Sequence, residues 1–167
     1  KNPGDLDAPA ITFPFSYESV HEAVTAAKRS FTHWKRLSVQ NRAQSLVKFR
    51  EVLKSRQSDL TYWNSFETGK PLWESSRELE EAVALCDFFI NLGSQTSVEQ
   101  KQNTSDGVCV TRFFSRGVTA IITPAAQPIL HPISYLVPAL INGNTAVVKT
   151  CSKTPTIGQL LSEVAHE

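Results

Sequence analysis

The residues with the most chemistry to offer sit around two short apolar runs. Lys149 closes the run Ala146-Val147-Val148 and is followed by Cys151, Ser152 and Lys153. Upstream, Val118-Thr119-Ala120-Ile121-Ile122 leads into Thr123-Pro124-Ala125-Ala126-Gln127-Pro128. Taken by itself, Lys149 reads as a solvated lysine ending a strand. The loop after Ile122 stands where a strand-to-helix connection usually carries chemistry, yet it holds no acid, base or nucleophile. Cys151 has no histidine or base near it in sequence to lower its pKa, so it does not read as a nucleophile. His131 reads as a polar residue near a helix start. His21, His33 and His166 lack metal-ligand spacing. The run Glu78-Leu79-Glu80-Glu81 reads as the solvated face of a helix start. No catalytic and no metal-ligating residue is assigned from this pattern.

The surrounding elements follow from periodicity. Residues 1–15 hold three prolines and a glycine and read as an extended arm. Ser16 is placed to cap a helix whose apolar stripe runs Val20, Val24, Ala27, Phe31 and Trp34. Ser38 opens a second, with Leu46, Phe49, Val52 and Leu53 apolar and Arg42, Lys48, Arg50 and Lys54 mostly on the wet side. Ser58 is expected to cap a third, through Leu60, Trp63 and Phe66, which Gly69 ends in the left-handed conformation. A fourth begins near Trp73 or Ser75, its acidic first half favoured by the helix dipole, and takes Val83, Leu85, Phe88 and Phe89 inward. Cys86 belongs to that apolar face. The polar stretch Ser94 to Asp106 is compatible with a loop or a short strand. Val108 to Phe114 reads as a strand in which Cys109 packs.

Val118–Ile122 is bounded by turn signals and reads as a fully buried parallel strand. Ile133–Leu140 is the crossover helix, interrupted by Pro138 and ended at Asn142-Gly143-Asn144. Ala146–Val148 is the second buried strand. Thr154-Pro155 starts a last helix, with Ile157, Leu160, Leu161 and Val164 inward. Helices followed by strand-helix-strand-helix predict an α/β fold: N-terminal helices plus the first strands of a Rossmann-like parallel sheet. Only two parallel strands are evident, so the sheet is expected to be incomplete.

Composition narrows the function classes. The chain has 167 residues, 41% hydrophobic and 20% charged, with a formal net charge of +1. That is the composition of a globular domain, with no basic field for nucleic acid or an anionic membrane. The three cysteines form no CxxC pair, which argues for a reducing cytoplasmic setting. No apolar run approaches the ~18 residues of a membrane span, and the first residues lack the order of a secretory signal. Methionine is absent, as expected of a processed chain or a piece of a longer one; the stop at Glu167 favours the second.

Taken in order, the motifs resemble the aldehyde dehydrogenase superfamily. Arg42-Ala43 with Leu46 is similar to its Arg-Ala-x-x-Leu helix. Glu67-Thr68-Gly69-Lys70-Pro71 is similar to its Glu-Thr-Gly-Lys-Pro segment, with Glu74 and Glu78 following. Gly117-Val118 through Pro124, Pro138-Ala139-Leu140, Gly143-Asn144-Thr145 and Val147-Val148-Lys149 then match in sequence. The resemblance covers nearly the whole chain and only the family's N-terminal part. Gly69-Lys70-Pro71 with Trp73-Glu74 is similar to branches acting on semialdehydes of amino acids, such as the succinylglutamate type.

The resemblance implies an NAD(P)-dependent oxidation of an aldehyde to a carboxylic acid, with the catalytic cysteine in a domain this chain does not contain. It implies that residues 16–167 are the N-terminal part of an NAD(P)-binding domain. Ile122, Thr123 and Pro124 would lead into the cofactor loop, Lys149 would contact the adenosine ribose, and Ser152 would stand where the family often has an acid. Ser152 beside Lys153 favours NADP over NAD, because a carboxylate that would repel a 2′-phosphate is missing; Ser152 as a simple turn residue is the other reading. The family's Trp-Asn-Phe-Pro loop is here Ala125-Ala126-Gln127-Pro128. Ala126 lacks the amide that supports the oxyanion, a loss typically costing ~10²–10³ in rate. A non-catalytic member, or a truncated piece with a structural or assembly role, is therefore the alternative. Homo-oligomer contacts through strand 107–116 are implied in the full-length protein. The aldehyde, NAD versus NADP and the stoichiometry stay open.

Overall fold

The structure, a computed structural model, describes residues 2–7, 12–14, 16–96 and 99–167, without the side chains of Ser94 and Thr96. Part of the 1–15 arm lies outside the described residues; Asn2 and Asp5 form an isolated bridge within the described part. The elements run α1 (Glu18–Trp34), α2 (Val39–Ser55), α3 (Gln57–Thr68), α4 (Leu72–Thr96), β1 (Gln100–Thr104), β2 (Gly107–Thr111), β3 (Val118–Ile122), α5 (Leu130–Ile141), β4 (Thr145–Lys149) and α6 (Pro155–His166). The described residues thus form an α/β structure. No helix among them is long and apolar enough to cross a membrane.

The core lies between helices. Leu46 and Leu53 of α2, Leu60 of α3, and Leu79, Ala82, Cys86 and Ile90 of α4 are buried against Ile133, Val137 and Ile141 of α5 and Ile157 and Val164 of α6. Long α4 packs on α2, α3 and α5, while α1 and α5 both contact β3 and β4. Leu160 and Leu161 pack partly buried on the same core, as the periodicity of α6 requires. In α1 the buried stripe begins later than its spacing suggests: Ala27 is buried, whereas Val20 is 59% exposed.

β3 and β4 are parallel, with Val118 opposite Thr145 and Ile122 opposite Lys149. α5 is the crossover between them. It starts at Leu130 rather than Ile133 and continues through Pro138. Pro132 falls in the first turn, where its missing N–H has no helical partner to lose. The Pro138 carbonyl takes the Asn142 N–H and Nδ2 at the helix end. β3 is not a fully buried strand: Ile121 is buried but Ile122 is 81% exposed. Among the described residues β3 pairs with β4 alone, so the apolar run that reads as doubly covered has surface left open.

Two boundaries differ from sequence expectation. Ser38 Oγ does accept from the Asn41 N–H at 3.2 Å, and Gly69 ends α3 at φ 75°. Ser58, however, lies inside α3, whose cap position is Arg56. α4 continues past Gly93 to Thr96, into the polar stretch. The polar stretch after α4 contains a strand: β1 pairs antiparallel with β2 in register Thr104 to Gly107. Every residue of this hairpin is exposed, so Cys109 sits in a strand without packing against the core.

A Cβ added at Gly93 would stand 2.5 Å from Ile141 Cγ1 and 2.6 Å from Cγ2. Alanine would gain up to ~1 kcal/mol of helix propensity, but overpacking of a tight core costs ~1–3 kcal/mol. Gly93→Ala is therefore expected to lower stability by about 1–2 kcal/mol, read as a lower denaturation midpoint at unchanged m-value. A gain in stability would show that α4 and α5 are not in this close contact.

Candidate functional site

The candidate site is the edge formed where β3 and β4 end together. Ile122 and Lys149 are Cα partners, and the Thr123 N–H donates to the Lys149 carbonyl at 3.2 Å. The pairing leaves the Ile122 side chain exposed and buries Thr123. Pro124 and Lys149 are exposed, and Lys149 Nζ donates to the Thr150 carbonyl. The chain then turns, with the Thr154 N–H donating to the Cys151 carbonyl at 3.2 Å. Ser152 and Lys153 project from that turn, both exposed. The parallel register thus brings Ile122, Thr123, Pro124 and Lys149 to one edge, and Ser152 lies on the loop that leaves it.

Two loops flank the edge, and each leads into a helix capped from afar. Glu78, 4% exposed on α4, accepts through Oε1 from the N–H groups of Ile129 and Leu130 at 2.8 and 3.1 Å. Its Oε2 accepts from Asn64 Nδ2 at 2.9 Å and Lys70 Nζ at 2.7 Å. Glu67, also buried, accepts from the N–H groups of Thr156 and Ile157 at 2.8 and 3.1 Å. The helix starts of α5 and α6 are thus satisfied by carboxylates, which their dipoles favour.

This reverses the expectation for Glu78, which is not on a solvated face; Glu80 and Glu81 are. Arg42 is likewise buried, donating through Nε to the Ile141 carbonyl at 2.9 Å and through Nη1 to the Leu37 carbonyl. Burial lowers its pKa below the ordinary arginine value. The sequence signal was present in both cases, since each lies in a motif, but a charged residue in an amphipathic helix usually faces water.

The capped helix starts bear on which parts of a dinucleotide the chain can hold. A helix N-terminus is the usual phosphate site of a crossover fold. Here both are filled by side-chain anions, so neither can take a pyrophosphate. The strand-end edge is different: an exposed ammonium beside an exposed isoleucine offers a donor for hydroxyls and an apolar surface. The residues present fit the sugar end of a nucleotide and not its pyrophosphate.

The loop between β3 and α5 is open. Ala125, Ala126 and Gln127 line a surface cleft shared with Glu67, Lys70, Glu74 and Lys153. Ala126 is exposed and has no donor, and Gln127 is half-buried. His131 lies in the first turn of α5, its Nδ1 buried without a partner among the described residues. Cys151 is half-buried in the turn beside the edge. Cys86 is fully buried, and desolvation, then the Asp87 carboxylate, pushes its thiol pKa from an ordinary 9.0 up to about 12.

The family model described as "Aldehyde dehydrogenase family" matches residues 9–167. The chain belongs to this family. It is 34% identical over 164 residues to N-succinylglutamate 5-semialdehyde dehydrogenase of Burkholderia multivorans, covering 98% of this chain and 34% of that protein. A solved E. coli NADP-dependent enzyme matches at TM-score 0.82 and 29% identity, covering 89% of this chain and 31% of that one. Glyceraldehyde-3-phosphate dehydrogenase GapN from Methanocaldococcus jannaschii, solved in complex with NADP, matches at TM-score 0.89 and 22% identity over 99% of this chain and 36% of its own. At that identity the last likeness concerns the fold alone. The chain spans about a third of the length of the relatives it matches.

Two outcomes follow from this geometry. Glu78→Ala removes the carboxylate from the α5 start and leaves Lys70 without its partner, a change expected to cost ~3–5 kcal/mol, seen as a large drop in denaturation midpoint. Thiol labelling of the native chain near pH 8 is expected to modify Cys109 first and Cys151 more slowly, with Cys86 reacting only on unfolding. Because the Cys86 pKa is raised on folding, its contribution is complete below pH 9 and is lost as pH rises from 9.0 towards about 12. Fast native labelling of Cys86 would contradict its burial.

Proposed function

We propose that this chain forms the nucleotide edge of an NAD(P)-dependent aldehyde dehydrogenase-like protein, with residues 16–167 as the N-terminal part of its cofactor-binding domain. The observation that carries this is the parallel pairing of Ile122 with Lys149, which leaves an exposed ammonium and an apolar side chain together at the strand ends. Lys149 would donate to the hydroxyls of the adenosine ribose, Ile122 would offer the apolar surface beside it, and Thr123-Pro124 would shape the start of the loop. When bound, the nicotinamide supplies hydride acceptance for oxidation of an aldehyde to an acid. The chain's own part is to hold and orient the nucleoside end.

The exposed Ser152 and Lys153 support NADP over NAD. Neither carries a negative charge that would repel a 2′-phosphate, and Lys153 attracts one. The likeness to N-succinylglutamate 5-semialdehyde dehydrogenase supports a semialdehyde, an aldehyde that also bears a carboxylate, as the substrate class. The exposed β1–β2 hairpin, with Val108 at 61%, and Phe113 and Phe114 beyond it at 64% and 80% exposure, supports contact between copies of the full-length protein in a reducing cytoplasm.

A second reading concerns activity. Ala126 supplies no amide at the loop, which supports a member that keeps the nucleotide edge but has lost most of its acyl chemistry. Installing Ala126→Asn in the full-length gene product is expected to raise aldehyde-dependent NADPH formation by ~10²–10³ if one oxyanion donor is what is missing. An unmodified protein already fast, and unchanged by the substitution, would remove this reading.

Nucleotide titration tests the main proposal. NADP is expected to bind more tightly than NAD, Lys149→Ala to weaken both by about tenfold, the equivalent of one hydrogen bond to a charged donor, and Ser152→Glu to reverse the preference. Equal binding of both nucleotides would sink the NADP preference; absence of binding would sink the edge itself.

A further inference from the structure

We propose that Glu67 is a positioning residue for the nucleotide edge, holding the loop 149–154 in place through the start of α6; this rests on the reading of that loop as cofactor-binding. The loop is fastened on its first side by β4, whose last residue, Lys149, pairs with Ile122. On its second side the local bonds stay within the loop itself, from the Thr154 N–H to the Cys151 carbonyl at 3.2 Å and from the Lys153 N–H to Cys151 Sγ at 3.5 Å. Thr154 stands at the cap position of α6 but makes no side-chain capping bond, and its Oγ1 is buried without a partner among the described residues. Pro155 brings no N–H at all. The two donors that remain at the helix start, on Thr156 and Ile157, go one to each oxygen of Glu67, at 2.8 and 3.1 Å.

A carboxylate remote in sequence has thus replaced the side-chain cap that Thr154 would ordinarily supply. Glu67 is only 8% exposed, so its charge is screened little by water and is balanced by the backbone dipoles it meets. Gly69 ends α3 at φ 75°, just after Glu67, and Lys70 then turns to Glu78, an ion pair of 2.7 Å. The segment Glu67 to Lys70 therefore reaches both helix starts: Glu67 touches α6 directly, and Lys70 secures the carboxylate that caps α5. Because both oxygens of Glu67 are used, any shift of that side chain is transmitted to Thr156 and Ile157 and so to the loop bearing Ser152 and Lys153.

Glu67→Gln tests this at almost unchanged volume. The glutamine keeps one acceptor but turns an NH₂ towards the other N–H, donor against donor. Cys151, half-buried within the loop, reports loop order by its thiol labelling rate, and amide exchange reports the two helix starts. Expected are faster labelling of Cys151, faster exchange at Thr156 and Ile157 with Ile129 and Leu130 unchanged, and an NADP dissociation constant raised by about tenfold. Val47→Ala, a core truncation in α2, controls for general destabilisation and is expected to lower the melting temperature without altering Cys151 labelling. Unchanged labelling and exchange in Glu67→Gln overturn the proposal. So does a loosened loop that binds NADP as tightly as the wild type, which would make Glu67 merely structural. If the wild-type chain binds neither nucleotide, the reading of the edge fails, and labelling with exchange still decides whether Glu67 holds the loop.

Discussion

The carboxylate of Glu78 is the contact on which the arrangement turns. A buried charge is expensive unless it is paired and hydrogen-bonded. Glu78 meets that demand with four donors, from Lys70, Asn64, Ile129 and Leu130. Those donors belong to α3, the turn before α4, and the start of α5. One carboxylate thus locks the helical layer to the crossover of the parallel sheet. The apolar core alone specifies burial but not register; these directional bonds fix which turn of α4 faces the beginning of α5.

The far end of the crossover is fastened by a different device. Arg42 donates to the Ile141 carbonyl, so the last turn of α5 has a buried cation at its negative end. Gly143 follows at φ 80°, with an added Cβ standing 3.4 Å from Arg42 Nη1 and from Ser115 Cβ. The left-handed backbone is what favours glycine at this position. Asn144 Oδ1 then accepts from the N–H groups of Arg116 and Gly117 at 2.6 and 3.1 Å, which aligns the start of β3 with the start of β4. Trp34 and Thr145 add α1 to this end through the carbonyls of Leu140 and Ala27. With both ends of α5 held, the two strands run in register and finish together.

That shared finish places the candidate site, and the same anchoring limits what it can bind. Carboxylates that cap helices are the wrong neighbours for phosphates, so the helix starts of this crossover serve structure. The strand ends are different, because Lys149 and Ile122 are exposed there. The loop between β3 and α5 keeps its course because its far side is capped by Glu78, even though Ala125 and Ala126 carry no functional group.

Much of the fold was legible in the chain. The helical periodicities of α2, α5 and α6, the left-handed Gly69 and the pair of apolar runs joined by a crossover follow from local sterics and patterning, as did the family motifs. The candidate residues Ile122, Thr123, Pro124, Lys149 and Ser152 are named through the family resemblance, and the parallel register brings the first four of them to one edge. What the sequence alone could not decide was the environment of each charge. Glu78 and Arg42 sit in helices whose pattern permits a wet face, and only the packing of α4 and α2 against α5 takes them out of water. The close contact of Gly93 with Ile141 is likewise invisible in the chain. Ile122 reads as buried until β3 is found pairing with β4 alone among the described residues. Local pattern determines which element forms; burial and hydrogen-bond partners depend on groups far apart in the chain, and those meet only in the folded structure.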